Sequence, residues 1–103
     1  MNNHDERWRK RRKNKPPDST SFRILNKERD PWYRRRNGKR SPGSLIWEIL
    51  VREDPRTLGA AYAVVKNKKL KDRTSRADDG IWGHIAWVDT LNEEEGFPFV
   101  KIG

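Results

Sequence analysis

No cysteine occurs in the 103 residues, which excludes disulfides, thiol chemistry and thiolate metal sites. Apolar side chains make up only 32% of the chain, and no run of them approaches the roughly 20 residues of a membrane-spanning helix. The N-terminus lacks the apolar stretch of a signal peptide, and Asn2 stands where myristoylation requires glycine. The expectation is a soluble, intracellular protein with no membrane partner. Histidine is scarce as well: His4 and His84 lie far apart and cannot be argued into one site. There is no glycine-rich phosphate loop, nucleophile elbow or Ser-His-Asp set. Asp78 and Asp79 read as a capping turn rather than a catalytic pair. These absences predict a protein that is not an enzyme and holds no metal or cofactor.

What the chain has in excess is positive charge, and it is placed unevenly. Of a net +9, residues 1–44 carry 15 Lys and Arg against 5 Asp and Glu, whereas residues 45–103 carry 9 against 10. Apolar residues divide the other way, 7 of the first 44 against 26 of the remaining 59. This composition predicts a disordered Arg/Lys-rich arm over residues 1–43, followed by a small helical domain over residues 44–103. A domain of that size buries only about 60% of the surface of its unfolded chain, so a homodimer or a bound partner is expected to support it.

The fold class expected is mainly α, with about three helices in the second part. Ser41 or Ser44 can cap a first helix through Leu45, Ile46, Trp47, Ile49, Leu50 and Val51, ending at Glu53. Asp54-Pro55 then reads as a second helix start, with Leu58, Ala61, Tyr62 and Val65 on one face and Lys66, Lys68, Lys69 and Lys71 in the last turns. The third element, from Ile81 to Val88, fits a helix or a β-strand, which leaves α+β as the alternative. As a helix it has Glu93, Glu94 and Glu95 at the end that disfavours negative charge. Phe97, Phe99, Val100 and Ile102 are expected to fold back onto the core.

The arm carries the functional signal. Trp8, Arg9, Lys10, Arg11, Arg12, Lys13 and Lys15 form one aromatic-flanked basic cluster, which Pro16-Pro17 ends. Trp32, Tyr33, Arg34, Arg35, Arg36, Lys39 and Arg40 form a second, behind an Asp30-Pro31 helix start. Arg matches phosphate oxygens with a planar fork, Lys adds a mobile charge, and an aromatic face can stack on an unpaired base. The pattern predicts nucleic-acid binding, RNA favoured over DNA, by a segment that folds on its partner. Arg9, Lys10, Arg11, Arg12 and Lys13 also fit a nuclear import signal, which makes an import receptor a second partner and predicts a nuclear or shuttling protein. Ser41-Pro42 is a candidate phosphorylation site beside the second cluster, where added negative charge would weaken polyanion binding.

A different class of function is carried by Trp47, Trp82 and Trp87. Three indoles are much for a core of this size, and an exposed one would anchor a cellular protein partner, making the chain a nuclear-targeted adaptor. Lys66, Lys68, Lys69, Lys71, Arg73 and Arg76 add another basic patch, and the acidic stretch from Asp89 to Glu95 could bind basic partners or fold against the chain's own arm. An arm joined to a mini-domain in a short, Cys-free, charged chain has the general look of viral accessory or nucleocapsid-associated proteins. No motif names a family.

Overall fold

The computed structural model describes residues 3–32, 42–95 and 98–103, and among these the chain is mainly α. The elements run α1 (Asn3–Lys13), β1 (Phe22–Ile24), α2 (Pro42–Glu53), α3 (Leu58–Asn67), a 3₁₀ turn (Arg73–Ser75), α4 (Asp78–Glu95) and β2 (Val100–Ile102).

The third element resolves as α4, and its surroundings explain why the sequence left strand open. Ile81, Trp82, Ile85, Ala86, Val88 and Thr90 are all buried, because α4 is the element around which the others pack. A helix covered on several sides loses its polar stripe and reads as a continuous apolar run, the pattern of a buried strand. Gly80 and Gly83 fit the same crowding. A Cβ at Gly80 would overlap the main chain of Thr74, and the carbonyl of Gly83 accepts a hydrogen bond from Trp8 Nε1 at 2.8 Å.

The first two predicted helices are present with shifted ends. Pro42 occupies the first helical position of α2, and Ser44 lies inside the first turn, where its Oγ donates to Asp30 Oδ2 at 2.9 Å. Asp54-Pro55 ends α2 instead of starting α3. Asp54 takes a left-handed φ of 49° and its N–H donates to the Leu50 carbonyl at 2.8 Å, a helix C-terminal motif that an Asp tolerates. Thr57 is the cap of α3, its Oγ1 accepting from Ala60 N at 3.2 Å. The helix stops at Asn67, short of the predicted Lys71, since Lys69 turns to a φ of 51°.

The described residues of the arm lie on the same core as the rest of the chain. Phe22, Ile24 and Trp32 are buried with the residues of α2, α3 and α4. β1 pairs antiparallel with β2 in the register Phe22↔Ile102, Arg23↔Lys101, Ile24↔Val100. Phe99, Val100 and Ile102 therefore fold back as predicted, but onto a strand supplied by the arm; Phe97 lies outside the described residues. Asp30 holds a turn, accepting from Trp32 N at 2.8 Å, and the Arg29 carbonyl accepts from Trp47 Nε1 at 2.9 Å. The Trp32 indole fills the space left by Gly43, where any Cβ would overlap it. Few apolar residues suffice because the arm adds single large side chains to a core already formed by other segments. The radius of gyration, 12.7 Å, is that of one compact body of this length.

Candidate nucleic-acid interface

α1 is built from residues with little to bury, and its charges explain why it forms. Asp5 and Glu6 occupy the first turn, and Lys10, Arg11, Arg12 and Lys13 the last, both placements suiting the helix dipole. His4, Trp8, Arg11 and Lys15 recur at helical spacing and form the stripe that meets α4. The His4 and Trp8 rings set their edges against Trp87, at centroid distances of 4.0 and 5.5 Å. Arg11 spans three partners: NH1 donates to Thr90 Oγ1 at 2.8 Å, NH2 meets Glu93 Oε1 at 2.9 Å, and Nε meets Asp89 Oδ2 at 3.1 Å. Arg7 NH1 also reaches Glu93, at 3.2 Å. Trp82 Nε1 donates to the Arg12 carbonyl at 3.1 Å, and Lys15 Nζ lies 3.2 Å from Asp79 Oδ1. Arg12 and Lys15 thus meet the start of α4, whereas Arg7 and Arg11 reach its last turns. There Arg7 and Arg11 pair with Asp89 and Glu93 of the acidic stretch, one of the two roles its sequence suggests.

Turning inward commits Arg7 and Arg11 and leaves the opposite face of α1 to solvent. Arg9, Lys10, Arg12 and Lys13 are exposed, and none of them meets a carboxylate among the described residues. The Arg12 guanidinium instead lies 5.4 Å from the Trp8 ring centroid. Below this face opens a cleft of about 440 Å³, lined by Arg9, Arg12, Lys13, Lys15, Asp79 and Trp82. Its four cations face a single carboxylate. Lys66 Nζ binds the neighbouring Asp78 Oδ1 at 2.6 Å, so the basic surface continues from α1 across Asp78 and Asp79 to α3. Beyond Lys66, the exposed Lys68, Lys69, Lys71, Arg73 and Arg76 extend it along the connection to α4.

The predicted aromatic contacts are placed differently from the cations. Trp32 is buried, stacked on Trp87 at 5.6 Å with 15° between the rings. Trp8 is half-buried with its N–H spent on Gly83. Trp32 is therefore closed to a base, and Trp8 is only partly exposed. Trp47 and Trp82 are 4% and 2% exposed and Trp87 is half-buried among three rings, so the three indoles proposed as partner anchors lie in or against the core. Tyr33, Arg34, Arg35, Arg36, Lys39, Arg40 and Ser41 lie outside the described residues. The sequence reading overlooked the helical stripe of α1, although the acidic start, basic end and 4-8-11-15 spacing were there to find it.

Two polar groups near the basic surface have shifted protonation. Burial pushes the Tyr62 hydroxyl well above its ordinary range, and Asp18, Asp78 and Asp79 add to the effect; its oxygen has no hydrogen-bond partner among the described residues, while Lys15 Nζ lies 5.2 Å from the ring centroid. Burial lowers His84, with Asp72 opposing and Arg12 reinforcing. His84 Nε2 lies 2.9 Å from Thr74 Oγ1, which in turn donates to Asp72. The hydroxyl is thus shared between an acceptor carboxylate and the ring, which ties the 3₁₀ turn to α4. No cluster of three potential metal ligands exists among the described residues, and no helix there is long and apolar enough to cross a membrane. No family model matches the chain, and no curated protein or solved structure shows significant similarity to it.

Proposed function

We propose that this chain is a non-enzymatic nucleic-acid-binding protein that grips the phosphate backbone with the outer face of α1 and the basic surface continuous with it. The observation that carries the reading is the division of charge on one helix. Arg7 and Arg11 are held by carboxylates of α4, whereas Arg9, Lys10, Arg12 and Lys13 face solvent without such partners among the described residues. Cations left uncompensated on a rigid helix face suit a polyanion, because each phosphate they neutralise releases bound counterions. RNA is favoured by the arginine-rich arm, with recognition through backbone and shape rather than base stacking, since Trp8 and Trp32 are engaged internally. The same four exposed cations support nuclear import through residues 9–13. The adaptor reading loses its main support with the burial of Trp47 and Trp82.

Anisotropy titration of a labelled single-stranded RNA between 50 and 200 mM salt tests this. The slope of log K against log salt should be about −0.7 for each phosphate engaged. Replacing Arg9, Lys10, Arg12 and Lys13 together by Gln should weaken binding at least about tenfold and make the slope shallower by roughly 2–3. Circular dichroism should be unchanged, since none of the four forms an ion pair with a carboxylate of α4 among the described residues. Affinity indifferent to salt, or unaltered in the variant, would overturn the proposal.

A further inference from the structure

The β1–β2 ribbon carries a charge arrangement that its own stability does not explain. In Phe22-Arg23-Ile24 and Val100-Lys101-Ile102 the outer residues of each triplet turn inward and the central cation outward. The register then sets Arg23 directly opposite Lys101. The bonds Leu25 N to Phe99 O at 2.8 Å and Gly103 N to Ser21 O at 2.9 Å bracket them, making the two a hydrogen-bonded pair with Cα atoms about 5.5 Å apart. Like charges directly opposite one another destabilise a ladder. Neither side chain meets a carboxylate among the described residues. Asp54, the acid on the Arg56 side, is already held by Lys27 at 3.4 Å and by Arg56 at 3.2 Å.

A third cation completes the cluster. The Arg56 carbonyl accepts from Phe22 N at 2.9 Å, which fixes Arg56 at the edge of the ribbon. Ser21, Phe22, Arg23, Arg56, Lys101 and Gly103 line a cleft of about 450 Å³ without one acidic side chain. Arg23, Lys101 and Ser21 line this space beside Arg56, one nitrogen of which is held by Asp54, and a cluster of cations and a hydroxyl suits an anion rich in acceptors. None of these residues belongs to the α1 surface described above.

We propose that the ribbon cleft is a phosphate-binding site that takes a dianionic phosphate, either a free phosphate compound or the terminal phosphate of a nucleic-acid strand. Arg23 and Lys101 bind it from the two strands and Arg56 closes the edge. The bound anion relieves the repulsion that the empty ribbon sustains.

The test is an amide-resolved NMR titration of the full chain with pyrophosphate at low salt, repeated on Lys101→Glu and Arg23→Gln. Wild-type shifts should concentrate at residues 21–23, 56 and 101, and both variants should lose at least tenfold in affinity. Lys101→Glu also turns a repulsive pair into an attractive one, so its ligand-free Tm should rise by about 2–4 °C. Shifts spread evenly over α1 and residues 66–76, or affinities within twofold of wild type in both variants, would overturn the site. A 5′-phosphorylated oligonucleotide that binds tighter than its 5′-hydroxyl counterpart, with the difference abolished by Lys101→Glu, assigns the phosphate to a strand end; equal binding assigns it to a free compound. Because the RNA titration above rests on α1, either proposal can fail without the other.

Discussion

His84 shows how one side chain couples folding to pH. Burial holds its pKa below the ordinary 6.5, against the pull of Asp72 and with the push of Arg12. The folded chain therefore favours the neutral ring. Its contribution to stability is complete above the unfolded value of 6.5 and is lost as pH falls through the lower folded value. Asp89 works in the opposite sense at lower pH: burial raises it, so its penalty on the folded state fades on acidification, with Arg11 and the Asn92 hydrogen bond opposing the shift and Glu93 reinforcing it. Melting temperatures taken down to about pH 5 cover the range in which a histidine ordinarily titrates. They should fall with pH in the wild type, and His84→Gln should flatten that fall. An unchanged pH slope in the variant would assign the dependence elsewhere. Nothing in the sequence pointed to this coupling, because Asp72, Thr74 and His84 meet only once the 3₁₀ turn lies on α4.

At the scale of the element, α1 keeps stability and binding on separate faces. Arg11 is a structural residue: its side chain is 27% exposed, and it bridges Asp89, Thr90 and Glu93. Arg11→Gln should cost about 1–3 kcal/mol in the docking of α1 and speed amide hydrogen exchange along it. Lys13→Gln should leave exchange unchanged while weakening RNA binding. Equal effects of the two substitutions on exchange would contradict the division. The helices of the second half were legible because Leu58, Ala61, Tyr62 and Val65 repeat at the helical period. α1 was not, because its inward face uses an imidazole, an indole and a guanidinium where such patterns look for aliphatic residues. The Asp54-Pro55 boundary misled for a related reason, since Asp before Pro suits the end of one helix as well as the start of the next.

At the scale of the molecule, the composition split marks no division of the core. Phe22, Ile24 and Trp32 are each 6% exposed or less and share one buried cluster with residues of α2, α3, α4 and β2. A fragment of residues 44–103 should therefore lose cooperative melting, and adding residues 1–43 as a separate peptide should restore part of it. A fragment that melts as sharply as the full chain would show that the arm is dispensable to the fold. The candidate interface was half legible in the same way. The sequence showed which cations are abundant, but which are spent on α4 and which remain depends on a helix orientation that composition does not encode.

The β ribbon has a consequence for the order of events during synthesis. Its strands are separated by nearly eighty positions, so β1 waits for most of the chain to be made before it can pair. Until then Phe22 and Ile24 have no ladder to join, and α1 lacks the acidic end of α4. The basic segment passes through the ribosome exit region, itself lined with RNA, with all its cations uncommitted. Folding is then the step that withdraws Arg7 and Arg11 from the polyanions around them, so a nascent chain should hold RNA more tightly and less selectively than the finished protein.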